Sequence, residues 1–416
     1  MSAPPASGAR IQALDLIRGV AVLGILAVNV AGFAGPIATT DTPALAYGHL
    51  TAPPPWWDEA AYAGVFLLFE GKMRALFSIL FGASMLLFID RAEARGRDGG
   101  FLQARRLGWL ALFGWLHYVL LWWGDILFVY ACAGLVALPL RRLPPRAMVA
   151  LALIVFAAWH GGQTLGGWPV DRAEEALRSH TATAVEADLA TRQVLGVQAR
   201  MASDVARDSE PFVPQALDKL RNDPFWPLTM AEYTLGETVP LMLIGMVLLR
   251  TGFFAGVWPA GRMRRIAVGG IAAGGLWAAW LLGWAWPRHF PVLAMSDMIG
   301  YWAAPGHLAM ALGYAAGLVL WAPRLLRGWL GRRLAAAGRM AFSNYLGTTL
   351  VMTALFYRWG FGLYGEVGRL AQLGFVALGW ALMLGWSAPW LTRFRQGPLE
   401  WLWRSLTEGR AMPMVR

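Results

Sequence analysis

The sequence predicts an all-α polytopic membrane protein. It reads as a bundle of about ten transmembrane helices, both termini cytoplasmic, with one helical extracytoplasmic insertion. Three observations predict it. The 416-residue chain is 57% hydrophobic and only 15% charged, where soluble domains carry about a quarter charged residues. Its apolar residues gather in long runs of helical length. Most of its 36 Lys and Arg cluster at every second junction between those runs, as the positive-inside rule requires. That bias accounts for the net charge of +11, and no basic domain interleaved with aromatics suggests a nucleic-acid partner. The single cysteine, Cys132, excludes an intramolecular disulfide and a Cys-based metal centre.

The elements follow in order. Residues 1–15 form a cytoplasmic leader without a signal-peptide cleavage site, so the first apolar run is expected to remain as a helix. Spans are expected at 16–36, 66–89, 106–123, 126–140, 147–165, 228–249, 266–286, 301–321, 341–357 and 370–391, with Gly124 and Asp125 breaking 106–140 in two. Residues 166–227 are the one soluble-looking segment. Helical spacing and mixed charge predict one or two amphipathic helices over the bundle, as a solvated cap or as a lid on an outer vestibule. Residues 392–416 form a cytoplasmic or interfacial tail in which Trp401 and Trp403 lie beside Arg404 as an interfacial anchor.

In the first span, Asp15 and Arg18 lie three apart, within pairing range. Asn29 follows Arg18 by eleven residues, which places both on one helix face about 16 Å apart. Gly19 and Gly24 allow neighbours to approach closely. This stripe either lines a cavity or anchors the helix end while Asn29 bonds a neighbour. In the second span, Glu70 and Arg74 are expected to pair at i,i+4, with Lys72 on another face. Charges at this depth face a cavity that takes an anionic group, or mark an interfacial segment.

His117 and Asp125 carry base and orienting chemistry, provided the chain bends at Gly124, since a straight helix would hold them about 12 Å apart. The alternative is a capping aspartate beside a core histidine. Glu232 and Glu237 are five apart, on different faces, so they are not a carboxylate pair, and Glu232 is the favoured single candidate. Asn344 and Tyr345 line a substrate pocket or serve as interhelical hydrogen-bond glue. His307 is a candidate to point into the bundle, and no two histidines show metal-ligand spacing.

Five motifs in order, "ALDLIRGVAVLGILAVN", "LFSILFGAS", "LLWWGDILFVYACAGL", "GRMAFSNYLGTTL" and "GPLEWLWRSLTEGRAMP", resemble the YeiB family, a membrane domain of unknown function, over nearly the whole chain. That family is more distantly similar to the transmembrane acyltransferases, the acyltransferase-3 proteins and heparan-α-glucosaminide N-acetyltransferase. The resemblance implies an inner-membrane acyltransferase that moves an acyl group from cytoplasmic acetyl-CoA, or another acyl-CoA, to a hydroxyl or amine acceptor outside, a small molecule, glycan or lipid. It implies a catalytic histidine. The acyltransferase-3 group carries it eleven positions after the arginine, where this chain has Asn29. The heparan enzyme carries it in the following loop, where this chain offers His49. On that reading Arg18 and Asp15 flank the donor, Arg105, Arg106, Arg141 and Arg142 meet its phosphates, Asn29 holds the thioester carbonyl, and His117 or His49 is the base. The rivals are a transporter for a small polar or lipid-like solute, against which no inverted repeat is evident, and a non-catalytic scaffold. The sequence sets neither the acceptor nor the oligomeric state.

Overall fold

The computed structural model describes residues 8–48, 50 and 52–416, and His49 lies outside the described residues. Seventeen α-helices run along the described chain, which contains isolated bridges but no β-strand. Seven stretches are long and apolar enough to cross a membrane: Gln12–Ala34, Trp56–Glu93, Pro145–Arg178, Trp226–Arg250, Ala260–Arg288, Ala304–Leu325 and Arg369–Arg393. They make this a multi-pass membrane protein.

The seven stretches correspond to helices α1 (Gly8–Ala34), α3 with α4 (Trp56–Leu68 and Lys72–Glu93), α7 (Pro145–Arg178), α10 (Trp226–Arg250), α11 (Ala260–Ala285), α13 (Ala304–Leu325) and α16 (Arg369–Arg393). The other three expected spans fall on α5 (Gly99–Leu120, 22 residues), α6 (Leu127–Leu140, 14 residues) and α15 (Ala341–Phe356, 16 residues). At 1.5 Å per residue, α6 and α15 are only about 21 and 24 Å long, short of the roughly 30 Å hydrocarbon layer. Each sends a tyrosine to a cavity wall, Tyr130 from α6 and Tyr345 from α15.

The expected span 66–89 is broken. Glycine at 71 adopts a φ of +68°, separating α3 from α4. A Cβ there would also lie 1.9 Å from His307 Nδ1, so no other residue fits without displacing that ring. Close approach shapes α1 too. It crosses α14 (Trp329–Arg339) so tightly that a Cβ on Gly338 would meet the Asp15 carbonyl oxygen at 1.9 Å. One apolar cluster, drawn mainly from α1, α4, α5, α6, α10, α13 and α15, forms the core.

Helix α7 runs unbroken from Pro145 through 166 to Arg178, into the segment expected as the insertion. Helix α8 (Ala184–Asp208) opens with a Thr183/Glu186 capping box, the T-x-x-E pattern that satisfies both ends of the first turn. Helix α9 (Phe212–Asn222) folds back over the end of α5: Lys219 donates to the Tyr118 carbonyl oxygen at 3.2 Å, and Tyr118 donates to that of Asp223 at 2.8 Å. The short helix α2 (Ala38–Asp41) follows α1, and the Ile37 amide just before it donates to Asp204 of α8 at 3.4 Å. Helix α12 (Val292–Asp297) packs between α7 and α2, and α17 (Pro398–Glu408) lies against α5 and α15.

Candidate functional site

Three cavities stand in file through the bundle. The first, about 170 Å³, lies at the arginine-rich end, lined by Arg18, Ser84, Arg106, Tyr130, Arg339 and Tyr345 among others. The second, about 240 Å³, is central, lined by Asn29, Glu70, Arg74, Asp125 and Tyr130. The third, about 340 Å³, lies beneath the α8–α9 hairpin. The first two share Ile25, Ile126 and Tyr130; the last two share Asp41 and Trp123.

At the arginine-rich end, Arg18 donates to Asp15 at 3.0 Å and to Ser84 Oγ at 3.0 Å, and still borders the cavity. The local pair expected from the i,i+3 spacing is present, and it holds the guanidinium in place. Arg106 is stacked between Phe88 at 4.8 Å and Trp403 at 4.0 Å. Of the expected phosphate-binding arginines, only Arg106 lines this cavity. Arg105 and Arg142 are exposed, while Arg141 bonds the Leu138 carbonyl oxygen and lies 3.6 Å from Glu93. The Arg105–Arg106 doublet divides because adjacent helical residues point about 100° apart, while Arg141 and Arg142 lie in the turn after α6. Arg339, which supplies the third cation, sits at the end of α14. Glu400 closes the floor, accepting from the Phe342 and Ser343 amides at 2.8 and 3.1 Å and from Ser343 Oγ at 2.5 Å. Burial raises the Glu400 carboxyl above its ordinary range.

His117 and Asp125 come together. Helix α5 ends at Leu120 and α6 begins at Leu127, so the chain turns back through Gly124 and the His117 ring meets Asp125 at 2.8 Å. Asp125 also accepts from the Phe128 amide at 2.8 Å, so it caps α6 as well as gripping the ring. The reactive side differs from the expectation. Asp125 faces the central cavity, whereas His117 borders neither cavity and its Nε2 is buried without a hydrogen bond. His117 continues the face of α5 on which Gln103, Arg106 and Leu110 line the first cavity, and Tyr345 stands beside it at a ring separation of 5.3 Å.

In the central cavity, Asn29 has no hydrogen-bond partner among the described residues and borders open volume. Arg74 does not pair with Glu70. The helix break at Gly71 turns Glu70 away to accept its neighbour's amide at 3.1 Å, and Arg74 reaches across to Glu237 at 2.8 Å. Glu232, the favoured candidate, is exposed and borders none of the three cavities; Glu237, five residues on, is the buried carboxylate. Lys72 is fully buried and donates to the Phe66 carbonyl oxygen at 2.5 Å, so it also borders none of them. Asn344 is sealed between helices, accepting from Trp386 at 2.7 Å and donating to the Ala337 carbonyl oxygen and Ser387, each at 3.0 Å, so it is packing glue and not a pocket wall. Tyr345 does line a pocket, the first one, and donates to the Gly124 carbonyl oxygen at 3.2 Å. His307 is buried against Gly71 with both ring nitrogens unpartnered.

The fold and its apolar helices define a multi-pass helical membrane protein, with neighbouring polar cavities inside it. The chain belongs to the YeiB-like DUF418 family, described as proteins of unknown function: the family matches residues 248–410, and the uncharacterized protein YeiB of Escherichia coli (strain K12) is 32% identical over 410 residues, covering 97% of each chain. The uncharacterized protein YxaH of Bacillus subtilis (strain 168) is 28% identical over 423 residues, covering 99% of this chain and 98% of its own. No solved structure matches.

Proposed function

We propose that the protein is an inner-membrane acyltransferase that moves an acyl group from an acyl-CoA to a hydroxyl or amine acceptor arriving from the opposite side. What supports the reading is one juxtaposition: a cavity ringed by Arg18, Arg106 and Arg339 abuts, at Ile25, Ile126 and Tyr130, a second cavity walled by Asp125 and Asn29. The arginine-rich end faces the cytoplasm, and its guanidinium groups hold the donor's phosphates. The thioester points towards Tyr130. The acceptor's oxygen or nitrogen attacks the thioester carbonyl, forming the new ester or amide bond as the carbon–sulfur bond breaks. Asp125 takes the acceptor's proton, with His117 bonded behind it to spread the charge, and the proton passes to the departing thiolate, which leaves as the free thiol. The unpartnered amide of Asn29 lies on the same cavity wall, where it can donate to the developing oxyanion.

The test is purified protein incubated with labelled acetyl-CoA and candidate acceptors. The reading expects CoA to raise the protein's thermal stability, and Arg106→Ala to weaken that effect by about tenfold or more. Absence of both CoA binding and thioester cleavage removes it. The file of three cavities also favours a second reading, passage of a small solute; counterflow in proteoliposomes that is indifferent to CoA would establish that instead.

A further inference from the structure

We propose that the cavity beneath the α8–α9 hairpin is a recognition site for a molecule bearing a carboxylate or phosphate on a hydroxyl-rich body. Calling that molecule the acceptor rests on the acyl-transfer reading; the site itself does not.

The site stands first on Lys219. Its side chain borders this cavity of about 340 Å³, yet the residue is only 2% exposed. An ammonium has three donors, and the one hydrogen bond it makes is to the Tyr118 carbonyl oxygen at 3.2 Å. Its ammonium also lies over the Tyr118 ring, 5.7 Å from the centroid, and it has no ion-pair partner among the described residues. A buried cation in that condition is costly until an oxyanion reaches it.

Two of the nearby carboxylates, Asp204 and Asp208, are already engaged. Asp204 holds Arg207 at 2.7 Å and the Ile37 amide at 3.4 Å. Asp208 takes Gln215 at 2.9 Å, Tyr364 at 3.3 Å and Arg207 at 3.5 Å. Burial pulls the Lys219 amine down to about 8, which still leaves it cationic near neutrality and strengthens its demand for a counter-charge. A second cation, Arg200, borders the same cavity, is exposed, and has no partner among the described residues.

The rest of the wall describes the ligand's body. Trp123 and Trp226 border the cavity, tied together by a 3.1 Å bond from the Trp226 indole to the Trp123 carbonyl oxygen, and offer flat apolar surface. Asp41 and Asp223 also border it, and carboxylates there accept from hydroxyl groups while repelling a second anion. Because Asp41 and Trp123 also border the central cavity, a molecule anchored at Lys219 extends its far end towards Asp125.

Isothermal titration of the full-length protein in phosphatidylcholine nanodiscs tests this, with glucuronate, glucose 6-phosphate and glucose as probes. The two anionic sugars are expected to bind at least tenfold more tightly than glucose. Arg200→Gln is expected to remove about tenfold of that preference, and Lys219→Met more. Equal affinity for all three, or a preference indifferent to Arg200→Gln, overturns the proposal. Arg200 makes no internal bond, so its variant folds even where Lys219→Met does not. Repeating the titration in nanodiscs containing phosphatidylglycerol separates the sources: Arg200-dependent competition by the lipid supports the site with a head group as its anion, and no competition supports it with a soluble one. Binding of the anionic sugars without any CoA-dependent transfer retires the acyltransferase reading and keeps the site. Transfer to neutral acceptors, unaffected by Arg200→Gln, does the reverse.

Discussion

At the scale of single residues, Asp125 has three duties: it caps α6, fixes the His117 ring and borders the central cavity. Removing its side chain strips the cap and leaves a buried imidazole N–H unpaired, two losses of about 1–2 kcal/mol each. Asp125→Ala is therefore expected to destabilise the protein by about 2–4 kcal/mol. Asp125→Asn should cost less, because its amide oxygen still accepts one bond, yet should abolish acyl transfer; denaturant titration in one detergent and the labelled-acetyl assay read the two effects. The Arg74–Glu237 pair gives a second expectation. Arg74→Ala leaves a carboxylate 7% exposed without its cation, a loss of about 3 kcal/mol. Arg74→Ala with Glu237→Gln should recover much of it, whereas adding Glu70→Gln should recover little. Equal recovery by both would restore the i,i+4 pairing that the sequence suggested.

Elements show what the sequence could and could not disclose. Asp15–Arg18 was legible because both partners lie on one helical turn. His117–Asp125 was legible on the condition of a bend at Gly124, since only the turn between α5 and α6 brings the two together. Arg74–Glu237 was hidden because the partners lie 163 residues apart, and Arg339 and Glu400 because a helix end and a tail reveal their neighbours only after packing. The break at Gly71 left a faint signal, one glycine beside two charges inside an apolar run. Its left-handed backbone and contact with His307 predict that Gly71→Ala costs about 1–3 kcal/mol and moves Arg74. Gly338→Leu would push α14 off α1, displacing Arg339 along with it, so thermal stabilisation by CoA should fall more steeply than the melting temperature itself.

For the whole molecule, a pH expectation centres on Asp41, at the waist between the central and hairpin cavities. Burial pushes its carboxyl up to about 6, helped by Glu70 and opposed by hydrogen bonds from Ser296 and Thr40 and by the charge of Arg74. A raised carboxyl binds more protons folded than unfolded, so its stabilising share is complete below about pH 4 and disappears as pH climbs through 6. Relative to Asp41→Asn, the native protein should lose about 1–2 kcal/mol between pH 4 and 7, read from paired melting curves. A constant difference across that range would place Asp41 in water.

Tyr130 carries the last consequence. Its ring stacks on Phe81 at 5.2 Å, its hydroxyl meets Ser78 at 3.1 Å, and it borders two cavities at once. On the acyl-transfer reading, in which the two cavities open towards opposite sides of the bilayer, this phenol is the partition between them. Cells expressing Tyr130→Ala should bleed their proton gradient and grow poorly even where transfer chemistry is not needed, a toxicity that a voltage-sensitive dye would register.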